Sequence, residues 1–420
     1  MPPDLRSTNT LHGMPECIVA LPYQLGYRPH RSLVLVCLGA SGQLELTARV
    51  DLPTPEQERD VLDAVLPALR QRETSAVLAI VFEDQDEDQD EDQDQDQDQD
   101  EGRGEGREGH GAFLARVAAL ARAHGVEVAA LARVRAATWK SVPLDGRWLA
   151  TGTGNGRPEQ TEPDSHWQPL PASAEVPGIA SYVLAGRSPL HDREALVRIF
   201  ERSESDLAAA TAIHAAQLRR DWPGQYAGGG SSSGTTSRGS AQMSSASIEV
   251  ACRTLGRVVN AEGGHLPPGL KASDLAHCAL ALEQVRFRDG VLEALAPGLL
   301  EPKAVPSKAV LPKGLPPKNA PTKDLLQQLP AMLRAQFSAV SDADSGVPIR
   351  LAALAGHLHA SAATALLSVV GYLAWCRGDG GVANVAIEAA LRLDPNYSLA
   401  RLVDRALQAA VRPPGAGVAV

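Results

Sequence analysis

Apolar and polar positions are most regular between Ser32 and Leu52. Ser32–Leu38 (SLVLVCL) is a continuous apolar run, and Ala40, Ser41 and Gly42 supply a turn. Leu44, Leu46, Ala48, Val50 and Leu52 then fall on one face, with Glu45, Thr47, Arg49 and Asp51 on the other. A period of two belongs to a half-buried strand, so this stretch predicts a hairpin. Thr54-Pro55-Glu56 reads as a helix start, with a capping side chain, a proline at the first position and an early acid. Val61, Leu62, Val65, Leu66 and Leu69 recur at helical spacing, and Pro67 is expected to kink or shorten that helix. Ala76–Phe82 predicts a strand buried on both faces. Gly111–His124 predicts a second helix closed by Gly125, and Val126–Val134 a fourth strand. The order strand, strand, helix, strand, helix, strand implies an α/β layer over residues 11–148 with a partly parallel sheet.

The remaining periodicity is helical. Helices are expected from Ser188-Pro189 through Phe200, from Glu204 to Trp222 and from Ile248 to Val259. Another is expected from a Ser273-Asp274 cap, with Leu275, Cys278, Leu282 and Val285 on one stripe. The last 70 residues read as helical, ending in the tail PPGAGVAV. The fold class expected is α+β: a mixed βαβ layer, then a mainly α-helical C-terminal half. The expected divisions are helical segments at 176–226 and 248–300 and a C-terminal helical domain at 324–411.

Leu366–Asn396 is the most specific stretch. Gly371, Gly378, Asp379, Ala383, Ala390, Leu391, Leu393, Asp394, Pro395 and Asn396 fall at the spacings of one tetratricopeptide repeat. Small residues at 371, 383 and 390 would let two antiparallel helices approach, and Gly378-Asp379 would turn the chain. Pro395 would start the next helix, Tyr397–Val411, with Asp394 as its cap. A solenoid needs about three repeats, so one helical hairpin is expected rather than an array.

Charge changes this picture only locally. The chain of 420 residues carries a net charge of −10, but Glu83–Glu101 holds 13 acids and no base. Without that run the balance is 40 basic against 37 acidic groups, or +3, which leaves no global nucleic-acid footprint. The run sits between the third strand and the second helix, and a disordered acidic insertion is expected over 84–110. Linkers are expected at 151–175, at 228–247 (Ser/Gly-rich) and at 301–323. The last carries Lys303, Lys308, Lys313, Lys318 and Lys323 at a spacing of five. The five cysteines form no CxxC, which argues against a disulfide framework and a structural zinc site. The N-terminus has no apolar leader, and Ala360–Cys376 falls short of the roughly 20 apolar residues that span a bilayer. A cytoplasmic protein with reduced thiols is expected.

No nucleophile elbow, HExxH or P-loop is present, so no catalytic residue, metal site or cofactor is expected. Gly152–Arg157 (GTGNGR) is followed by prolines rather than a helix, which disfavours a phosphate loop. Arg28, His30 and Arg31 precede the first strand, within reach of Asp51 on the second; they are candidates for binding an anion. Tyr372 and Trp375 are candidates for lining a peptide groove. His357 and His359, two apart, point to different sides of a helix and make a poor half-site for a metal. His191-Asp192 is expected in the first turn of a helix, and Cys37 and Cys376 as buried, inert thiols.

Four blocks occur in order: LPYQLGYRPHRSLVLVCL, ARVDLP, VLAGRSPLHDREALV and YLAWCRGDGGVANVAIEAALRLDPNYSLARLVDRAL. Together they make the chain similar to the actinobacterial family known as domain of unknown function 4192. That resemblance implies a bacterial, cytoplasmic protein and no particular activity. Two functions follow as expectations. The first is a non-catalytic binding or scaffold protein that holds a protein partner through its C-terminal helical hairpin, with no nucleic-acid or membrane partner. The second is an enzyme or small-ligand (anion or metabolite) binder using the strand ends of the α/β layer, where such folds hold ligands.

Overall fold

A computed structural model describes residues 11, 13–83, 105–143, 166–184, 186–221, 243–296, 322–337 and 346–411. The acidic run after Glu83, the Gly152–Arg157 loop, the Ser/Gly run up to 242 and the Lys/Pro run up to 321 lie outside these residues. The chain divides into two compact units. One holds the described residues up to Val183 together with Gln408–Val411, and the other holds Leu184–Leu407.

The first unit is the expected mixed α/β layer. Its elements are α1 (Met14–Leu25), β1 (Ser32–Leu38), β2 (Leu44–Asp51), α2 (Glu58–Leu69), β3 (Ala76–Phe82), α3 (Glu105–Ala123), β4 (Glu127–Arg135), β5 (Thr138–Ser141), β6 (Gln168–Pro169) and α4 (Pro177–Leu184). The six strands form one sheet in the order β2-β1-β3-β4-β5-β6. Only β3 and β4 are parallel; every other neighbouring pair is antiparallel. Both faces of β1 and β3 are buried. On one face Leu33, Leu35, Cys37, Val77, Ala79 and Val81 pack with Val65 and Leu69 of α2 and Leu114 and Val117 of α3. Full burial of such a side chain contributes about 1.5–3 kcal/mol, so this layer is the unit's main support.

Several local expectations are corrected. Helix α2 begins at Glu58, after a turn in which Thr54 O accepts from Gln57 N at 3.0 Å, so Thr54 is not its cap. Pro67 sits in the last turn without breaking the helix. The missing N–H of a proline leaves one carbonyl unpaired, which is tolerable near a helix end. Helix α3 begins six residues before Gly111. The described part of the expected linker at 151–175 contains β6 and a 3-10 turn at Ser173–Glu175.

The second unit is helical: α5 (Arg193–Ile199), α6 (Asp206–Asp221), α7 (Ser245–Val259), α8 (Ala272–Leu282), α9 (Val285–Leu295), α10 (Thr322–Gln336), α11 (Gly346–Gly356), α12 (Ala360–Cys376), α13 (Gly380–Leu393) and α14 (Ser398–Gln408). The start of α5 is set by Asp192, whose Oδ1 accepts from Ala195 N at 2.6 Å. The cap of α8 is Lys271, without a side-chain bond, so Ser273 and Asp274 lie in its first turn instead. The apolar stripe breaks at Glu283-Gln284, and Val285 opens α9 with 59% of its surface exposed.

In the α12–α13 pair, Gly378 and Asp379 make the turn and Gly371 the close approach. Gly378 adopts φ +76° and Asp379 caps α13, its Oδ1 accepting from Val382 N at 3.1 Å. A Cβ built on Gly371 would lie 2.6 Å from both Cγ1 and Cδ1 of Ile387, itself 1% exposed. Only glycine allows this approach, so Gly371→Val should destabilise the second unit by about 2 kcal/mol through overpacking. A lower denaturant midpoint with an unchanged slope would show it. Asp394 departs from expectation: it ends α13, and its Oδ1 accepts from Asn396 N at 2.9 Å. That Asx turn delays α14 to Ser398.

Among the described residues, no helix is long and apolar enough to cross a membrane.

Candidate functional site

At the C-terminal ends of the parallel strands β3 and β4 the core changes character. Strand β4 alternates Leu131, Arg133 and Arg135 on the face shared with Ala79 and Val81, so the last two positions of an apolar row are guanidiniums. Glu83 follows β3 directly, its N–H bonded to Val134 O at 2.9 Å. Its side chain is 1% exposed. Arg133 Nε donates to Glu83 Oε1. Arg135 donates to Oε2 side-on, through Nε at 3.3 Å and Nη2 at 3.1 Å. His110 of α3 brings Nδ1 to 3.5 Å from Oε1. Burial alone would raise the Glu83 carboxyl, but hydrogen bonds from His110 and Arg133 and the Arg133 charge outweigh it and hold the group at about 2.

The neighbouring strands complete the cluster. Lys140 of β5 is the cross-strand partner of Arg133. Trp167 lies one residue before Gln168, which pairs with Trp139. The indole therefore sits beside Lys140 on the same face. Lys140 Nζ lies 4.9 Å from the indole centroid, Arg135 Cζ 4.9 Å and Arg133 Cζ 5.9 Å. Three cations thus converge on one aromatic face, with one carboxylate among the described residues beside them. Burial and the Arg133 charge, then that of Arg135, pull the Lys140 ammonium below its ordinary value; Glu83 opposes them. Arg133 Nη1 and Nη2 and Lys140 Nζ have no hydrogen-bond acceptor among the described residues, although the Arg133 side chain is only 10% exposed. Crowded, partly buried cations of this kind mark a place suited to receive negative charge.

None of these six residues stood out in the sequence. Glu83 is the first letter of the acidic run, the arginines look like the polar half of an ordinary strand, and Trp167 lies beyond a long interval without pattern.

The sequence-predicted candidates are arranged otherwise. Asp51 is exposed and pairs with Arg49, Oδ1 to Nη2 at 2.6 Å; the same Nη2 lies 3.4 Å from His30 O. Arg28 and Arg31 are exposed, and Arg31, at φ +39°, uses its carbonyl to accept from Leu52 N. The structure thus ties Asp51 to the His30 backbone through Arg49, a residue not singled out before. Tyr372 and Trp375 are both half-buried on α12, their rings 5.8 Å apart edge to face. Cys37 is fully buried, whereas Cys376 is only half-buried, and burial pushes its thiol up to about 11 against a lowering bond from Tyr372.

A second, half-buried carboxylate organises the helical unit. Glu283 Oε1 accepts from Arg219 Nη2 at 2.5 Å, contacts His359 Nε2 at 2.8 Å and accepts from Ser361 Oγ. Burial would raise it, but bonds from His359, Arg219 and Ser361 prevail and hold it at about 2. His357 turns instead to Ser205 Oγ at 3.1 Å, so the two histidines diverge. Among the described residues, no group of three or more metal-ligating side chains exists. Because Glu83 and Glu283 titrate lower folded than their ordinary 4.5, their contribution is present above that pH and is lost as pH falls toward 2. Each should remove roughly 3 kcal/mol over that window, measurable as a fall in denaturant midpoint between pH 5 and 2.5.

No curated protein and no solved structure matches this chain. A family match covers residues 15–301 and 335–414, and so takes in both units, the β3–β4 strand ends and the α12–α13 pair. On that match the chain belongs to the family Domain of unknown function (DUF4192).

Proposed function

We propose that this protein binds a small anionic ligand in the cytoplasm, without catalysis, at the C-terminal ends of β3 and β4. The observation that carries this reading is the set of positive donors on the Trp167 face. Arg133 Nη1 and Nη2 and Lys140 Nζ lack acceptors among the described residues, beside a single carboxylate already engaged by both arginines. Like charges crowded in a half-buried site cost stability, and an anion would relieve that cost. Strand ends beside a parallel pair are also where α/β sheets hold ligands. Glu83 at about 2 is far too acidic to trade protons near neutral pH, which favours binding over acid–base turnover. The cysteines support a reducing compartment: all five are free thiols.

Titration calorimetry with inorganic phosphate at fixed ionic strength tests the reading. Wild-type protein should bind, and Lys140→Met should weaken binding at least ten-fold while Tyr372→Ala leaves it unchanged. Equal binding by wild type and Lys140→Met would remove this site from consideration.

A second reading, a protein-docking role for the α12–α13 hairpin, has its support in the half-exposed Tyr372–Trp375 pair. It expects a partner held by the full chain to be released by the double change Tyr372→Ala, Trp375→Ala.

A further inference from the structure

We infer that the groove between α7 and α9 is a docking site for an amphipathic helix of a partner protein, and that α10 is this chain's own stand-in for that helix. All three helices belong to the helical unit, and α10 packs against both α7 and α9. Its Leu329 and Leu333 are fully buried, and Phe337, just past its end, is 7% exposed. These residues fall at i, i+4 and i+8, on one face of a helix. The floor of the groove admits close approach. A Cβ on Gly290 of α9 would lie 2.7 Å from Leu329 Cδ2, and one on Gly256 of α7 would lie 2.9 Å from Gln336 Cβ. Glycine inside a helix is destabilising relative to alanine, so two of them facing one neighbour mark a surface shaped to receive a helix. The polar contacts lie at the rim. Asn260 Nδ2 donates to Gln336 O at 2.7 Å, where the last carbonyls of α10 lack partners within the helix. Arg334 Nη2 reaches Glu293 Oε1 at 3.0 Å.

Two observations separate the groove from the helix that fills it. The family match takes in α7 and α9 but skips residues 302–334, and with them nearly all of α10. The groove follows the family pattern, and its occupant does not. The second observation is Pro330, inside α10 and next to Leu329. A proline there removes one helical hydrogen bond and crowds the carbonyl a turn earlier, which makes it the least favourable residue for a helix interior. Attachment to the same chain offsets that handicap by keeping α10 near the groove. The α10 of a second copy would carry the same proline without the attachment, so exchange between copies gains nothing. A partner helix free of proline fits the same groove better. Its chemistry follows from the contacts: Leu, Leu and Phe at i, i+4 and i+8, with a basic residue after the second leucine to meet Glu293.

The probe is a labelled peptide of residues 322–337 carrying Pro330→Ala, titrated into the full wild-type chain and followed by fluorescence anisotropy. It should bind roughly ten-fold or more tightly than the same peptide with Pro330, and the further change Leu333→Asp in the peptide should abolish binding. Hydrogen exchange on the full chain supplies the location. With the peptide saturating, the α10 amides should exchange roughly ten-fold or more faster, while those of α12 and α13 are unchanged.

Unaltered α10 exchange would put the peptide on another surface and overturn the proposal. No binding by the Pro330→Ala peptide would show α10 to be a fixed part of the core and overturn it as well. Equal binding by the two peptides would remove the proline's handicap, make a second copy as good an occupant, and overturn the partner helix. Wild-type protein is used throughout, so no outcome depends on whether a variant folds.

Discussion

Glu83→Gln should destabilise the N-terminal unit by about 3–5 kcal/mol, the range expected when one member of a buried ion cluster is removed. Glutamine keeps the shape and one accepting oxygen. It removes the negative charge that pairs with Arg133 and Arg135, both close to nine-tenths buried. The same substitution removes a negative charge beside the Trp167 cations, so phosphate should bind more tightly to the variant than to wild type. Stability and affinity thus move in opposite directions, which a purely structural ion pair would not produce. Denaturant unfolding followed by hydrogen exchange at the β3 and β4 amides measures the first effect. Its partial reversal by millimolar phosphate measures the second. A variant as stable as wild type would mean that the arginines are balanced by something other than Glu83.

Arg350→Met should cost the helical unit a comparable amount, about 3–5 kcal/mol. Arg350 of α11 is 1% exposed. Its Nε donates to Val258 O at 3.0 Å, Nη2 to Val259 O at 2.7 Å and Nη1 to Gly263 O at 2.6 Å. Val258 and Val259 end α7, where helix carbonyls have no partner within the helix and the dipole favours a cation. Methionine fills similar volume, so the loss reports the carbonyls of Val259 and Gly263 and the weakened satisfaction of Val258 O, which keeps Ala261 N at 3.3 Å, rather than a cavity. Arg350→Lys should recover only part of it, since an ammonium cannot reproduce the fork. Hydrogen exchange should localise the damage to the C-terminal end of α7. A loss below about 1 kcal/mol would show that water replaces the guanidinium there.

The layers of the fold were legible where a local period was strong. The hairpin of Ser32–Leu52, the apolar run at Ala76–Phe82 and the Gly378-Asp379 turn each carry their own signal within ten or twenty residues. Helix α1 was not foreseen: Pro15 and Pro22 interrupt its local pattern, although Cys17, Ile18, Leu21 and Leu25 are buried. Asp394 was expected to cap the next helix and closes an Asx turn instead, since aspartate before proline can do either. The strand-end cluster was least legible. It joins Glu83, His110, Arg133, Lys140 and Trp167 through β-sheet register, and register across long intervals leaves no local period. The one available signal was the pair Arg133 and Arg135 on the side of β4 that faces the core. Alternation alone places a charged strand position on the solvent side, which hides such a pair.

The outer strands of the sheet bear on how this protein behaves at high concentration. At one border lies β6, two residues long and ending in Pro169, which has no N–H to offer a further strand. At the other lies β2, which carries Glu45, Arg49 and Asp51 along its length. Short strands, proline and charge at the border are what discourage β-strands from adding to one another between molecules. The six strands therefore end where they are instead of templating a seventh from a second copy, and concentrated solutions should resist fibril formation through this sheet.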